Sequence, residues 1–462
     1  MKKKYYVFFL LLSFLGYGQA INWEKNFGGS GDDYANSIQK TTDGGYIVVG
    51  RTSSSASGNV TGVNNGSADF WVVKLTSSGN ISWEKILGGR GADEAFAVQQ
   101  TTDGGYIIAG STGSSASGNV TGVNNGADDF WIVKLTSLGA ISWEKNFGGG
   151  GSDIPRSIQQ TTDGGYIIAG VTGSTNIKGD ITGNNGGFDA WIIKLNSSGV
   201  ISWQKNLGGS GHDSFFSIQQ TTDDGYIAAG ITASSNTGDV TGTTKGGDDF
   251  WIVKLTSNGT ISWQKNLGGN GSDVANSIRQ TLDGGYIVAG YTKSSNNGDV
   301  TGINKGSDDF WIVKLTPNGT ISWQNNFGGN REDQASSIQQ TSDGGYIVVG
   351  STLSSGTGDV TGTYHSNNFD VWIVKLTSSG IISWQKNLGG NGGDRGKFVQ
   401  QSSSGKFVSN NKYIIAGYTD SSANGDVTGV GRGNYDMWIV NISDTPPQIV
   451  DPNDIAYPQN KN

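Results

Sequence analysis

Three observations predict an all-β chain made of seven copies of one four-stranded unit. A segment of about 60 residues recurs along almost the whole sequence, and each copy carries one tryptophan near its start and another near its end. The apolar runs within a copy span roughly four to seven residues, are rich in β-branched and aromatic side chains, and are bounded by Gly, Asp or Asn, which is the pattern of strands and not of helices. The first tryptophans are Trp23, Trp83, Trp143, Trp203, Trp263, Trp323 and Trp384, and the second are Trp71, Trp131, Trp191, Trp251, Trp311, Trp372 and Trp438, together all 14 in the chain. Such regularity is the signature of a repeat architecture.

The copy from Ile81 to Ala140 shows the elements in order. Ile81 to Leu87 (ISWEKIL) is its first strand, and a glycine turn, Gly88 to Asp93, follows. Ala95 to Thr101 (AFAVQQT) is the second, and the tight turn Thr102-Asp103-Gly104-Gly105 leads to the third, Tyr106 to Gly110 (YIIAG). A long Ser/Gly/Asn segment, Ser111 to Asp128, precedes the fourth, Phe130 to Leu135 (FWIVKL), and the turn Thr136 to Gly139 closes the copy. The fourth run is apolar almost throughout, so both its faces must be covered. Similar sheets stacked face to face around an axis cover both, which makes a seven-bladed β-propeller with four antiparallel strands per blade. An open solenoid needs atypical polar units at its ends, and neither end has one.

The chain ends predict how the ring closes. The last copy finishes with Asp436-Met437-Trp438-Ile439-Val440, and the first begins with Ile21-Asn22-Trp23-Glu24-Lys25. If each blade runs from the axis outward as SIQQ, YIIAG, FWIVKL and ISWEK, the last blade lacks its outer strand, and residues 21–27 supply it. The same order sorts the loops. The TTDGG turn and the turn after FWIVKL lie on one face; the GGSGDD-type loop and the long Ser/Gly/Asn loop (Thr52 to Ala68 in the first copy) lie on the other, more elaborate face.

Residues 1–20 are expected to be a secretory leader: Lys2 to Lys4, an apolar run from Tyr5 to Leu15, and Gly18 and Ala20 as the small residues before a cut after Ala20. That run is too short to span a bilayer, and no later stretch is longer. The expected organisation is therefore a leader at 1–20, the propeller at 21–443 with repeats starting near 21, 81, 141, 201, 261, 321 and 382, and a polar tail at 444–462. There is no cysteine, so neither disulfides nor lipidation of a lipoprotein kind are available. The net charge is −8, with no basic stripe, which argues against nucleic acid as a partner.

Acidic residues recur at fixed places. Asp33 and its six counterparts follow the glycine turn, Asp69 and its counterparts precede the second tryptophan by two, and Asp43, Asp103, Asp163, Asp223, Asp283 and Asp343 sit in the TxDGG turn, which the seventh copy replaces with Ser402 to Gly405. Side-chain capping of turns accounts for them. Calcium is the sharper alternative, with Asp239 of the long loop and Asp249 of the D-x-W element as candidate ligands. The tryptophans read as blade-packing residues with satisfied N–H groups, against a rival role in stacking on sugars. No nucleophile–base group repeats, and His212 and His365 occupy unrelated positions.

Divergence between copies is concentrated just after the repeated Asp: Tyr34-Ala35-Asn36, Glu94-Ala95-Phe96, Ile154-Pro155-Arg156, Ser214-Phe215-Phe216, Val274-Ala275-Asn276, Gln334-Ala335-Ser336 and Arg395-Gly396-Lys397. These residues are expected near the axial channel on the elaborate face. Two readings are open, drift at exposed positions or an asymmetric pocket with Phe96, Arg156, Phe215, Phe216, Arg331 and Arg395 as contacts.

The motifs W-x-K-x-x-G-G, D-x-x-x-S-I-Q-Q-T-x-D-G-G-Y-I-x-x-G and D-x-W-I-V-K-L-x-x-x-G resemble the bacterial β-propeller repeats of secreted and cell-surface proteins in Bacteroidetes-type bacteria, over residues 21 to about 442. The resemblance implies an extracellular or surface-associated interaction module, of a kind often joined to a C-terminal sorting domain for type IX secretion. Ile455-Ala456-Tyr457-Pro458 is similar to the start of such a domain, and the rest of it is missing here. The expectation is a secreted or cell-surface, non-catalytic, monomeric scaffold that binds an extracellular protein or a polysaccharide. Its rival is a polysaccharide-acting, endoglucanase-like enzyme or its substrate-binding subunit, with Glu94 and Glu332 as the unrepeated carboxylates.

Overall fold

The computed structural model describes residues 18–174, 179–183, 185–362, 365–402 and 411–445. Among them every regular element is a strand. β1 (Gly18–Phe27) belongs to the last blade, and blade I consists of β2 (Asp33–Lys40), β3 (Tyr46–Thr52), β4 (Asp69–Leu75) and β5 (Ile81–Leu87) in that order from the axis outward. Blades II to VI repeat the arrangement as β6–β9 (93–147), β10–β13 (153–207), β14–β17 (213–267), β18–β21 (273–327) and β22–β25 (333–388). Blade VII takes three strands from the end of the chain, β26 (Asp394–Gln401), β27 (Lys412–Thr419) and β28 (Asp436–Thr445), and its outer strand from the beginning. β1 pairs antiparallel with β28, Trp23 opposite Asn441 and Phe27 opposite Met437, and β2 packs on β26 and β27. The molecule is a seven-bladed β-propeller closed by its N-terminal strand. β1 starts at Gly18, ahead of the expected cut after Ala20, and Gly18 to Ala20 pair with Thr445 to Ser443. Residues 1–17 of the expected leader and 446–462 of the tail lie outside the described residues.

Strand composition follows depth. The second and third strands of each blade are buried along nearly their whole length, as the continuous apolar runs require. The outer strand alternates, its ISWEK side chains half-buried or exposed. One apolar cluster fills each blade interface; Ile227, Phe250 and Leu267 of blade IV, for example, meet Ile278, Tyr286 and Trp311 of blade V.

The two tryptophans of a unit do different work. The second is fully buried, and its indole N–H donates to the Glu or Gln beside the first: Trp131 to Glu144 at 2.7 Å, Trp191 to Gln204 at 2.9 Å, Trp438 to Glu24 at 2.8 Å. That acceptor also holds the long loop, Gln264 Nε2 donating to the Asp239 carbonyl at 2.7 Å. The first tryptophan lies edge-on to a tyrosine of the next blade, Trp83 to Tyr106 at 5.8 Å, and covers Gly139, whose φ of 79° suits its turn. Both tryptophans are therefore packing residues, and the sugar-stacking alternative has no free indole face at the second.

Candidate functional site

Each innermost strand carries one extra residue. On β2, Ala35 faces Gly50 and Ser37 faces Val49, so Asn36 has no partner on β3. The same bulge releases Phe96, Arg156, Phe216, Asn276, Ser336 and Lys397. A β-bulge bends its strand and re-aims a side chain, and here all seven line the axial channel. The glycine ending each YIxxG run is the counterpart of the bulge. A Cβ on Gly50 would strike the Tyr34 carbonyl oxygen, and one on Gly230 that of Ser214. The cavity is about 300 Å³, with serine, asparagine and glutamine prominent in its wall.

Beyond the bulge, the wall is held by the repeated Gln-Gln pair. The first glutamine accepts, through Oε1, the backbone N–H of the next blade's second: Gln160 N to Gln99 at 2.5 Å, Gln220 N to Gln159 at 2.6 Å, Gln280 N to Gln219 at 2.8 Å, Gln401 N to Gln339 at 2.7 Å, and across the closure Lys40 N to Gln400 at 2.8 Å. The second glutamine accepts from the preceding blade's turn, as Thr162 N to Gln220 at 2.8 Å. Arg279 interrupts the ring. Its guanidinium turns to Ser217 Oγ at 3.1 Å and its own neighbour's carbonyl, Ile278 O, at 2.8 Å. Burial pulls the pKa of Arg279 below that of a free arginine.

The loop-side mouth of the channel is asymmetric. Tyr34, Tyr418 and Tyr435 cluster where blades I and VII meet, with ring centroids 4.6 to 5.4 Å apart. Arg51 lies 4.6 Å over Tyr34, Lys397 lies 5.6 Å from the Tyr418 ring, Arg395 lies 3.6 Å over Phe369, and Arg156 lies 4.7 Å over Phe96. Glu94 stands among these cations, accepting from Asn36 Nδ2 at 3.0 Å and meeting Arg51 at 3.4 Å. Burial lowers the pKa of Lys397, with Arg395 and Arg156 adding to the effect and Glu94 opposing it; burial likewise lowers that of Arg156. Arg156 Nε is buried with no hydrogen-bond partner among the described residues.

Of the six expected contacts, Phe96, Arg156 and Phe216 line the channel, and Arg395 stands on blade VII beside Lys397. Arg331 is exposed on the loop before β22 and is absent from the channel wall. Phe215 is a correction. It is the residue before the bulge, faces away from the channel, is fully buried, and stacks on Trp251 at 4.9 Å. Its position follows from strand alternation, since the bulge places its neighbour Phe216 alone in the lumen. Arg51, Tyr418 and Tyr435 were not anticipated; the first two follow the YIxxG glycine, at a position as variable as the segment after the repeated Asp.

The repeated aspartates serve the loops. Asp33 accepts from Thr52 Oγ1, from Ser54 Oγ at 2.8 Å and from Gly29 N at 2.7 Å. Asp69 accepts from Asn65 N at 2.8 Å. The candidate calcium pair is not assembled. Asp239 caps Gly208 N at 3.4 Å and holds Asn185 Nδ2 at 2.8 Å, at the junction of Asp189 and Asp213, whereas Asp249 accepts from Lys245 N at 3.0 Å and belongs with Asp273 and Asp299 one blade on. A long loop reaches back to the preceding unit, so two acids of one copy serve different junctions. Asp43 pairs with the buried Lys74 at 2.8 Å; burial works against its ionisation, but hydrogen bonds from Lys74, Thr41 and Gly45 more than offset this and hold its pKa near 2. The two histidines sit apart, His212 against Phe188 at 5.3 Å and His365 beside Asp370 at 3.2 Å.

No family model matches the chain. The regulatory protein FlaEY of Caulobacter vibrioides is 25% identical over 265 residues, covering 54% of this chain and 26% of that protein, so the match spans about a quarter of the relative's length. Among solved structures, the chain is similar to hydrazine synthase of Kuenenia stuttgartiensis, with a TM-score of 0.48, 11% identity, and 87% of this chain and 96% of that chain covered. It is also similar to BamB of Moraxella catarrhalis, with a TM-score of 0.39, 13% identity, and 92% and 100% covered.

Proposed function

We propose that this chain is a non-catalytic interaction module of the cell surface or medium, which holds an extracellular protein or polysaccharide at the loop-side mouth of its axial channel. One observation carries the reading: residues that bind blade to blade repeat around the ring, while those displayed into the channel by seven equivalent bulges read Asn36, Phe96, Arg156, Phe216, Asn276, Ser336 and Lys397. A purely structural ring has no need of an asymmetric lumen. The absence of catalysis is supported by how the candidate groups are engaged, with Glu94 tied to Asn36 and Arg51, Glu332 accepting from Gln334 at 2.8 Å, and His365 beside a loop-capping aspartate. Export is supported by the leader-like first 20 residues and by the resemblance to secreted repeats.

The test is capture of partners on glycan arrays and from culture medium by the exported full chain. Arg395→Ala with Tyr435→Ala, at the mouth, should lose the captured partner. Leu282→Lys, on the opposite face where Leu282 is 87% exposed, should keep it. Loss with the second variant and retention with the first would place binding on the wrong face. Turnover of soluble β-glucan that disappears with Glu332→Gln would establish the enzyme instead.

A further inference from the structure

On one side of the channel mouth four cations, Arg51, Arg156, Arg395 and Lys397, stand with the carboxylates of Glu94 and Asp32. Lys397 and Arg156 lie within electrostatic reach of each other and of Glu94, and Arg395 acts on Lys397 as well. Arg51 stands beside the same carboxylate. Glu94 is thus shared among Arg51, Arg156 and Lys397 and already accepts from Asn36. This cluster arises inside a protein whose net charge is −8.

We propose that this site, read above as the place where a partner is held, recognises an acidic sugar: a uronic acid residue whose carboxylate meets Arg156 and Lys397 and whose hydroxyls meet the Ser and Asn side chains of the bulge ring. The Arg156 guanidinium carbon lies 4.7 Å over the Phe96 ring, and Nε is buried with no hydrogen-bond partner among the described residues. In-plane donors meet a carboxylate bidentately. Burial makes both cations harder to keep charged, so an anion seated between them relieves an existing cost. The cavity of about 300 Å³ lies at the lower end of small-ligand sites, about 300–1,000 Å³. Its wall offers the Ser37 and Ser336 hydroxyls, which donate and accept as sugar hydroxyls do, and the side-chain carbonyls of Asn36 and Asn276, whose amide groups donate to Glu94, Ala95 O and Ala335 O; Phe216 supplies an apolar face. A peptide terminus would instead look for apolar side-chain pockets, and Phe96 is already covered by Arg156.

The experiment is titration calorimetry of the full chain with D-galacturonate, D-galactose, sulfate and the tripeptide Gly-Gly-Asp. Galacturonate should bind, with galactose weaker by about tenfold or more, the loss expected for one charge-assisted contact. Arg156→Asn and Lys397→Asn should each weaken galacturonate by a similar factor without changing the melting temperature. Asn is what blades I and V carry at the same bulge, as Asn36 and Asn276, so both variants keep a residue the fold accepts. Equal binding of galactose and galacturonate, indifference to Arg156→Asn, or tighter binding of sulfate or the tripeptide would overturn the acidic-sugar assignment. If no probe binds while partner capture still depends on Arg395 and Tyr435, the assignment fails and the interaction-module reading stands.

Discussion

At the residue scale, the copies compensate for one another's departures. Phe70, Phe130, Phe250 and Phe310 each lean on the tryptophan of the next blade at 4.4 to 4.6 Å. The matching position of blade III is Ala190, and there Trp251 is met by Phe215 of its own blade. A Phe at one position and an Ala at the other are exchanged between two walls of one cavity. Phe215→Ala should therefore cost about 3–5 kcal/mol, as deletion of a buried aromatic ring does. Adding Ala190→Phe should recover most of that loss in chemical denaturation. A double variant no more stable than Phe215→Ala would show that the two sites do not share a cavity. Sequence comparison alone flagged Phe215 as divergent and hence as a candidate contact; the bulge beside it decides which of two adjacent phenylalanines reaches the lumen.

At the element scale, what unites the blades is chiefly polar around the axis and apolar farther out. The Gln-Gln motif is legible in sequence, but its purpose depends on which backbone N–H lies within reach on the neighbouring blade. Arg279 stands where a glutamine would accept from Gln340 N, and among the described residues that bond is missing. Arg279→Gln should restore it and remove a buried cation, raising stability by about 1 kcal/mol in denaturant titrations. A decrease would mean that the arginine's bonds to Ser217 and Ile278 matter more to blade V than the ring does. Blade VII makes the same point by a coordinated loss. The Lys that pairs with the TxDGG aspartate in six blades is Asn441 there, which donates to Tyr46 Oη at 3.3 Å, and the aspartate's turn is the one replaced by Ser402 to Gly405. A buried lysine without its carboxylate would be costly, so both partners changed.

At the scale of the whole molecule, two sets of carboxylates set opposite pH dependences. Asp69, Asp129, Asp189, Asp249, Asp309 and Asp370 are pushed up to about 6 by burial, and the nearby aspartate of the next blade adds to the shift. A raised folded pKa means that the folded chain binds the proton more tightly than the unfolded one. The stabilisation is therefore complete below the unfolded value of 3.8 and is lost as pH rises through about 6. The lysine-paired Asp43, Asp103, Asp163, Asp223 and Asp283, held at about 2, act in the other direction, and their contribution is lost as pH falls from 3.8 through about 2. The melting temperature should rise by several degrees between about pH 7.5 and pH 5 and drop below about pH 3.5. A steady fall from pH 7.5 to 5 would contradict the burial of the first set.

The sequence by itself determined the number of blades, the four strands in each, and the closure by residues 21–27, because periodic apolar runs and an unpaired strand at each end leave few other ways to bury Trp, Ile and Val. It also separated a plain face from an elaborate one, since antiparallel strands sort alternate loops to opposite sides. Only the tertiary structure decided which side chains occupy the axis. A one-residue bulge reverses the inward and outward sense of a strand, and neither apolar periodicity nor comparison between copies shows where it falls. The structure also decided that Asp239 and Asp249 serve different blade junctions, because each long loop folds back onto the preceding unit. It likewise gathered Arg51, Arg156 and Lys397, from three blades, around the carboxylate of Glu94.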